Sequence, residues 1–211
     1  MFLSTYFIDN LRAWAPRLVD ATVQRVGMPT LLRVLHGLLE EGLAIRDLRG
    51  ACESLLAIAG ITTVDQDKFV VFFAPTTNLC PLRHDKPIEA LDDRDYLSCV
   101  RMAMKPSISR LYTSTPALTT LLVDRRIEQR LERADVDPLT EDERFRLLVA
   151  LRNELDNLSP AAGRPPILTN TSVRRTLWTL IEREFRRYPV VAYTELLPEL
   201  NIQPLARISW D

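Results

Sequence analysis

The sequence predicts an α+β protein, an all-helical region followed by a small α/β region, with one leading helix in front. Three observations carry this. Apolar residues recur at helical spacing from Leu3 to Leu111, the texture changes after Pro116 to alternating strands and helices, and Gly and Pro punctuate the helical part. The regions expected are 1–26 for the leading helix, 27–115 for the helical subdomain and 116–211 for the α/β subdomain.

In the first region Leu3, Phe7, Leu11, Trp14 and Leu18 lie on one face of an amphipathic helix, and Pro16 should kink or restart it. Little sequence precedes this apolar stripe to cover it, so the helix reads as the last one of a subdomain that is missing. From Met28, with Pro29 in the first turn, the stripe Leu31, Leu35, Leu38 and Leu39 runs to a stop at Gly42. A second helix follows through Ile45, Leu48, Cys52, Leu55 and Ala59, ended by Gly60. A third stripe, Leu97, Val100, Met104, Ile108 and Leu111, contains Pro106, which should bend it or cut it short. Between these last two helices, Ile61 to Arg94 holds an apolar run at Phe69–Phe73 and a Pro-rich end, consistent with a strand and a loop.

After Pro116, Ala117–Val123 reads as a strand, Arg126–Arg133 and Glu141–Leu158 as helices, and Pro166–Thr169 as a buried strand. A helix over Ser172–Arg186 should turn Val173, Leu177, Leu180 and Ile181 inward, and Val190–Tyr193 and Ile202–Ile208 read as strands. The Ser159–Pro166 connection reads as a surface loop.

Composition excludes several functions. The charge is −1, and each half of the chain is balanced, 13 basic and 13 acidic residues before Thr115 and 14 and 15 after it, so no basic arm is available for nucleic acid or an anionic surface. The longest apolar run, Phe69 to Ala74, is far below the ~20 residues of a membrane span, and Met1 is not followed by a secretory signal; the chain should be soluble. Cys52, Cys80 and Cys99 are widely spaced, which fits reduced thiols. Cys80 and His84 are too few for a structural zinc site, which needs about four ligands. No metal and no cofactor is expected.

Catalysis finds no support either. There is no nucleophile elbow, P-loop or zinc-protease helix, and six glycines leave no phosphate-cradling loop. His36 sits on a helix as a packed or surface residue, and His84 beside Asp85 has no nucleophile to serve. The Met28–Gly60 unit has the outline of a helix-turn-helix, and a winged-helix type DNA-binding regulator is the alternative reading. Its second helix would present Arg46, Asp47, Arg49 and Glu53 to the groove, two of each sign, with Glu40 and Glu41 ahead of it, which does not suit DNA.

Two stretches are specific. VGMPTLLRVLHGLLEEGLAIRDLR, from Val26 to Arg49, and YTELLPELNIQPLARI, from Tyr193 to Ile208, closely resemble the cytosolic part of the FHIPEP family, the export-gate proteins of flagella and of type III secretion systems. Ala15–Val19, Pro166–Thr169 and Val173–Arg175 add matches, so the resemblance spans nearly the whole chain, and the Asn201–Leu205 stretch is similar to the injectisome branch. It implies a chain with no enzymatic activity that forms a homo-oligomeric, nonameric ring. Its partners would be the ATPase stalk protein, secretion chaperones with their substrates, and the gatekeeper. It also implies a place at the cytoplasmic face of the bacterial inner membrane, reached only through an N-terminal membrane domain that this chain lacks.

Against that pattern the chain would hold the end of the first subdomain, the helical third and the α/β fourth. The family's chaperone-docking surface lies mainly on the first two subdomains and does not carry over, whereas its stalk contact involves the fourth. The 62–93 stretch is longer and richer in Pro than the usual connection, and Pro106 stands where an unbroken helix is usual. Ala44 stands where the family usually has a capping Ser ahead of Asp47; Ala44→Ser should therefore raise stability by about 1 kcal/mol. Arg46, Arg49 and Glu53 are the candidate subunit-interface or partner-binding residues.

Overall fold

The computed structural model describes residues 8–10, 12–13, 15–43, 48–58, 62–64, 70–72 and 92–210. The expectations for Phe7, Leu11, Trp14, Ala44, Arg46, Cys80 and His84 fall outside them. The chain divides into two units, Met1–Ser107 and Ile108–Asp211.

In the first unit, helix α1 (Pro16–Val26) begins at the proline. Pro16 restarts the helix there because its fixed φ suits a first turn and its missing N–H is not needed in one. Leu18, Val19 and Thr22 are buried, and Thr22 Oγ1 donates to the Leu18 carbonyl at 2.8 Å. Gly27, at φ +86°, then joins α1 to α2 (Met28–Glu40): its N–H donates to Val23 O and its own carbonyl accepts from Leu31 N–H. Leu31, Leu35 and Leu38 are inward as the stripe requires, with Val34 added and Leu39 only half-buried. The helix closes through Gly42, at φ +77°, and a bond from Leu43 N–H back to the Leu38 carbonyl at 2.9 Å.

Helix α3 (Leu48–Ile58) buries Ala51, Cys52, Leu55, Leu56 and Ile58. Strands β1 (Thr62–Val64) and β2 (Val70–Phe72) pair as an antiparallel hairpin with Thr62 opposite Phe72. Asp92 opens α4 (Asp93–Ala103) with a capping box, accepting from the Arg94 and Asp95 amides at 2.9 Å while Asp95 accepts from its own. Pro106 cuts rather than bends: α4 ends before Met104 and α5 (Lys105–Tyr112) starts with Pro106 in its first turn. That break shifts the phase of the stripe, so Leu111 is 50% exposed instead of inward.

Helix α2 meets α4 without room to spare. A Cβ on Gly37 would lie 2.8 Å from Leu97 Cδ2. Nearby, Arg101 of α4 and Glu41, just past the end of α2, form an ion pair of 2.8 Å with side chains 1% and 2% exposed. Arg33 also pairs with Asp93 at the surface.

The second unit is built on a four-stranded parallel sheet in the order β5-β4-β3-β6. Its strands are β3 (Ala117–Val123), β4 (Ile167–Thr169), β5 (Val190–Ala192) and β6 (Asn201–Ile208). Helices α6 (Arg125–Glu132) and α7 (Glu141–Asp156) connect β3 to β4, and α8 (Thr171–Phe185) connects β4 to β5. Leu121, Val123, Ile167, Val190 and Ile208 of the strands pack with Ile127, Leu131, Leu147, Leu151, Val173, Leu177 and Ile181 of the helices. Asp124 caps α6, and Thr140 with Glu143 forms a capping box on α7. Leu180 is only half-buried, and Trp178 and Arg174 go inside as well. Arg174 pairs there with Glu195, from the turn after β5, at 3.0 Å, both nearly sealed from solvent.

Candidate interaction surface

Helix α3 carries the described part of the predicted site. Arg49 and Glu53, one turn apart, form an exposed ion pair with Nε 2.7 Å from Oε1. Such a pair contributes only a few tenths of a kcal/mol to the helix, so its charges stay on the surface at little structural benefit. The two charges of this pair cancel, so the pair itself adds no net attraction for a phosphate backbone.

Beside that pair lies a groove of 280 Å³ between α3 and α4, lined by Gly50, Glu53, Ser54, Ala57, Ile58, Cys99, Ala103 and Met104. The α3 residues follow the spacing of a single helix face. Gly50, Ser54 and Ala57 are too small to fill the space between the two helices, and Ser54 turns its hydroxyl back to the Gly50 carbonyl at 2.6 Å. Sequence reasoning selected Arg49 and Glu53 for their charge and passed over the groove, whose signal is a run of small residues at one-turn spacing. Next to it Cys99 is disulfide-bonded, which corrects the expectation of three reduced thiols. Cys52 is a free, buried thiol, pushed up to about 11 by desolvation against a hydrogen bond with Thr22, so it is no nucleophile near neutral pH.

In the second unit Arg130 clamps the turn between α6 and α7. Its guanidinium binds Glu143 through Nε at 2.7 Å and Nη2 at 2.9 Å, and reaches the carbonyls of Asp137 at 2.8 Å and Pro138 at 3.2 Å. The hydrogen bond from Arg130, aided by the Thr140 amide, holds the Glu143 carboxyl down at about 2. The clamped turn presents Val136, 93% exposed, and Phe145, 65% exposed, projects from the first half of α7. Two unsupported apolar side chains near a braced turn have the form of a contact surface.

At the carboxyl ends of the strands, Glu128 accepts from Thr169 Oγ1 and Asn170 N at 2.8 Å and from Asn170 Nδ2 at 2.7 Å. Tyr193 lies half-exposed beside it; burial, then the Glu128 charge, push its phenol up, with Arg207 opposing. These groups lock the βα turns together. Among the described residues no group of three or more His, Cys, Asp or Glu has the arrangement of a metal site, and no helix is long and apolar enough to cross a membrane.

No protein-family model matches the chain. Among curated proteins it is similar to the low calcium response locus protein D of Yersinia pestis, 21% identical over 96% of this chain and 26% of that protein. It is also similar to the flagellar biosynthesis protein FlhA of Treponema pallidum, 24% identical over 93% of this chain and 25% of that protein. The chain thus spans about a quarter of the length of these relatives. Among solved structures it superposes on the Chlamydia pneumoniae CdsV protein with a TM-score of 0.76 and 27% identity, over 98% of this chain and 53% of that one. CdsV in its complex with CdsO gives 0.75 and 28%, over 98% and 54%. The nonameric EPEC SctV-C, at 0.73 and 21% identity over 97% and 56%, shares the fold.

Proposed function

We propose that this chain is a cytosolic domain of the FHIPEP export-gate family and the ring-forming part of a type III secretion export gate, of the injectisome branch. The observation that carries this is the superposition on CdsV along nearly the whole chain. The ring reading is supported by nonameric relatives of the same fold. In this reading α1 is the end of the family's first subdomain, the helices up to α5 are the third, and the sheet unit is the fourth.

The partner reading is supported by the solved complex of CdsV with CdsO. The second unit receives the ATPase stalk protein, and the ring passes chaperone-bound substrates and answers the gatekeeper at the cytoplasmic face of the inner membrane. In this reading Arg49 and Glu53 meet the neighbouring subunit, and Arg46 is assigned to the same contact from the sequence alone. An ion pair that contributes little within its own chain is free to exchange partners across an interface, since each charge keeps a counter-charge within reach.

The test has two arms. The gene is deleted in its own bacterium and secretion is measured, and the longer native protein is purified and its mass determined. Loss of secretion together with a ring supports the reading, whereas a monomer with secretion intact overturns it. Arg49→Glu examines the interface alone: ring mass should fall while the unfolding free energy stays within about 0.5 kcal/mol. An unchanged ring removes Arg49 from the interface.

A further inference from the structure

We propose that the open edge of the sheet in the second unit is guarded against strand addition, so that this unit meets other chains through helices and turns and never by extending its sheet. Among the described residues the sheet ends in β6 on one side and β5 on the other. A free edge offers unpaired N–H and C=O groups to any extended segment that reaches it.

Which residues of β6 face outward follows from two hydrogen bonds. Asn201 N–H donates to the Pro116 carbonyl at 2.7 Å, and the Ile208 carbonyl accepts from Asp124 N–H at 2.9 Å, so both residues face β3. Along a strand, successive residues turn their backbone polar groups to opposite sides. Counting forward from Asn201, Gln203 faces β3 and Pro204 faces the open side. Counting back from Ile208, Ala206 faces β3 and Arg207 faces out. The open side therefore presents at position 204 a residue with no N–H to give, and at position 207 the backbone of an arginine whose side chain is 62% exposed and reaches to 4.0 Å from the Asp124 carboxylate.

The two counts meet at an irregularity. Thr120 of β3 stands opposite Pro204, but Leu121 stands opposite Ala206, so Leu205 is an extra residue without a partner. It is 43% exposed. A bulge of this kind adds local twist and breaks the even spacing that an incoming strand must match. Proline, bulge and charge are three separate obstacles, and they are packed into one half of the strand. The opposite edge is protected differently: β5 is three residues long, all buried, and runs straight into the turn Tyr193–Glu195.

The experiment uses the 211-residue chain with Pro204→Thr and Arg207→Thr together, which returns an amide and removes a charge while leaving chain length and bulge intact. Arg126→Thr, the same change at an exposed position on α6, is the control. Light scattering over a concentration series and hydrogen exchange of the 202–207 amides are measured for all three proteins. The double variant should associate beyond the parent, with weight-average mass rising by about twofold or more; the amide at 207 should gain protection over the parent's, and the new amide at 204 should become more protected as concentration rises. A parent-like mass at every concentration, or an equal rise in the control, overturns the proposal. Should the double variant lose the parent's near-ultraviolet circular dichroism, Arg207→Thr alone carries the same measurement, and a parent-like mass for it also counts against the guard.

Discussion

The two units hold themselves together by different means. In the first, helices meet through glycine and proline: α1 and α2 begin with Pro and no side-chain cap, Gly27 and Gly42 take positive φ at the joints, and Gly37 lets α2 touch α4. Asp92 is the exception. In the second, polar side chains make the joints, with Asp124 and Thr140 capping α6 and α7, Arg130 gripping the turn between them and Glu128 tying β4 to α6. Joints made from backbone geometry tolerate few substitutions, whereas those made from side chains add up in small steps. What the units share, among the described residues, is a sealed arginine–glutamate pair in each.

Those pairs provide the largest expected effects. Arg101→Met takes the guanidinium away from buried Glu41 and should cost about 3–5 kcal/mol, as should Arg174→Met by taking it away from Glu195. Removing both partners, as Glu41→Leu with Arg101→Met, should recover most of the loss; urea unfolding curves measure each. If Arg174→Met loses under about 1 kcal/mol while Arg101→Met loses several, the pairs are not equivalent and the likeness between the units fails there.

Close approach comes next. Gly37→Val pushes into Leu97 and should cost about 1–3 kcal/mol, with partial rescue by Leu97→Ala. A neutral result would mean that α2 and α4 can separate freely. A gain is expected in the second unit: Thr120 is fully buried on β3 and its hydroxyl has no hydrogen-bond partner. Thr120→Val keeps the shape and should add about 1 kcal/mol, read as a higher unfolding midpoint. No rise would show that the hydroxyl holds a bound water.

The smallest effect is a pH dependence. Glu143 titrates at about 2 in the folded chain against 4.5 for a free glutamate, mainly because Arg130 donates to it. A carboxyl depressed on folding contributes stability that is complete above its unfolded value and disappears as pH falls toward the folded one. Between pH 4.5 and 2 the parent should therefore lose more stability than Glu143→Gln, and the two curves should run parallel above pH 5. Parallel curves throughout would separate the clamp from folding.

Much of the second unit was legible because its signals are short-range. Ala117–Val123 and Pro166–Thr169 are compact β-branched and leucine runs that follow or begin with Pro, and the helical spacing of Val173, Leu177 and Ile181 needs only one turn at a time to be read. Strand order was not legible, since nothing local in Asn201–Ile208 says that it pairs with β3 rather than with β5. The sealed arginines were missed for a related reason: Arg101 and Arg174 have the sequence pattern of surface residues, and their partners Glu41 and Glu195 are distant in sequence. At the candidate site, charge pointed to Arg49 and Glu53, while the adjoining groove is defined by side chains that are nearly absent.

The pairing of β3 with β6 also sets an order of events on the ribosome. Ala117 must wait for Asn201 before that side of β3 is covered, so the sheet stays incomplete through the synthesis of α6, α7, α8 and β5. Late closure of this kind slows folding and prolongs exposure of an apolar strand. The first unit, which emerges earlier, can be folded before the second has its final strand.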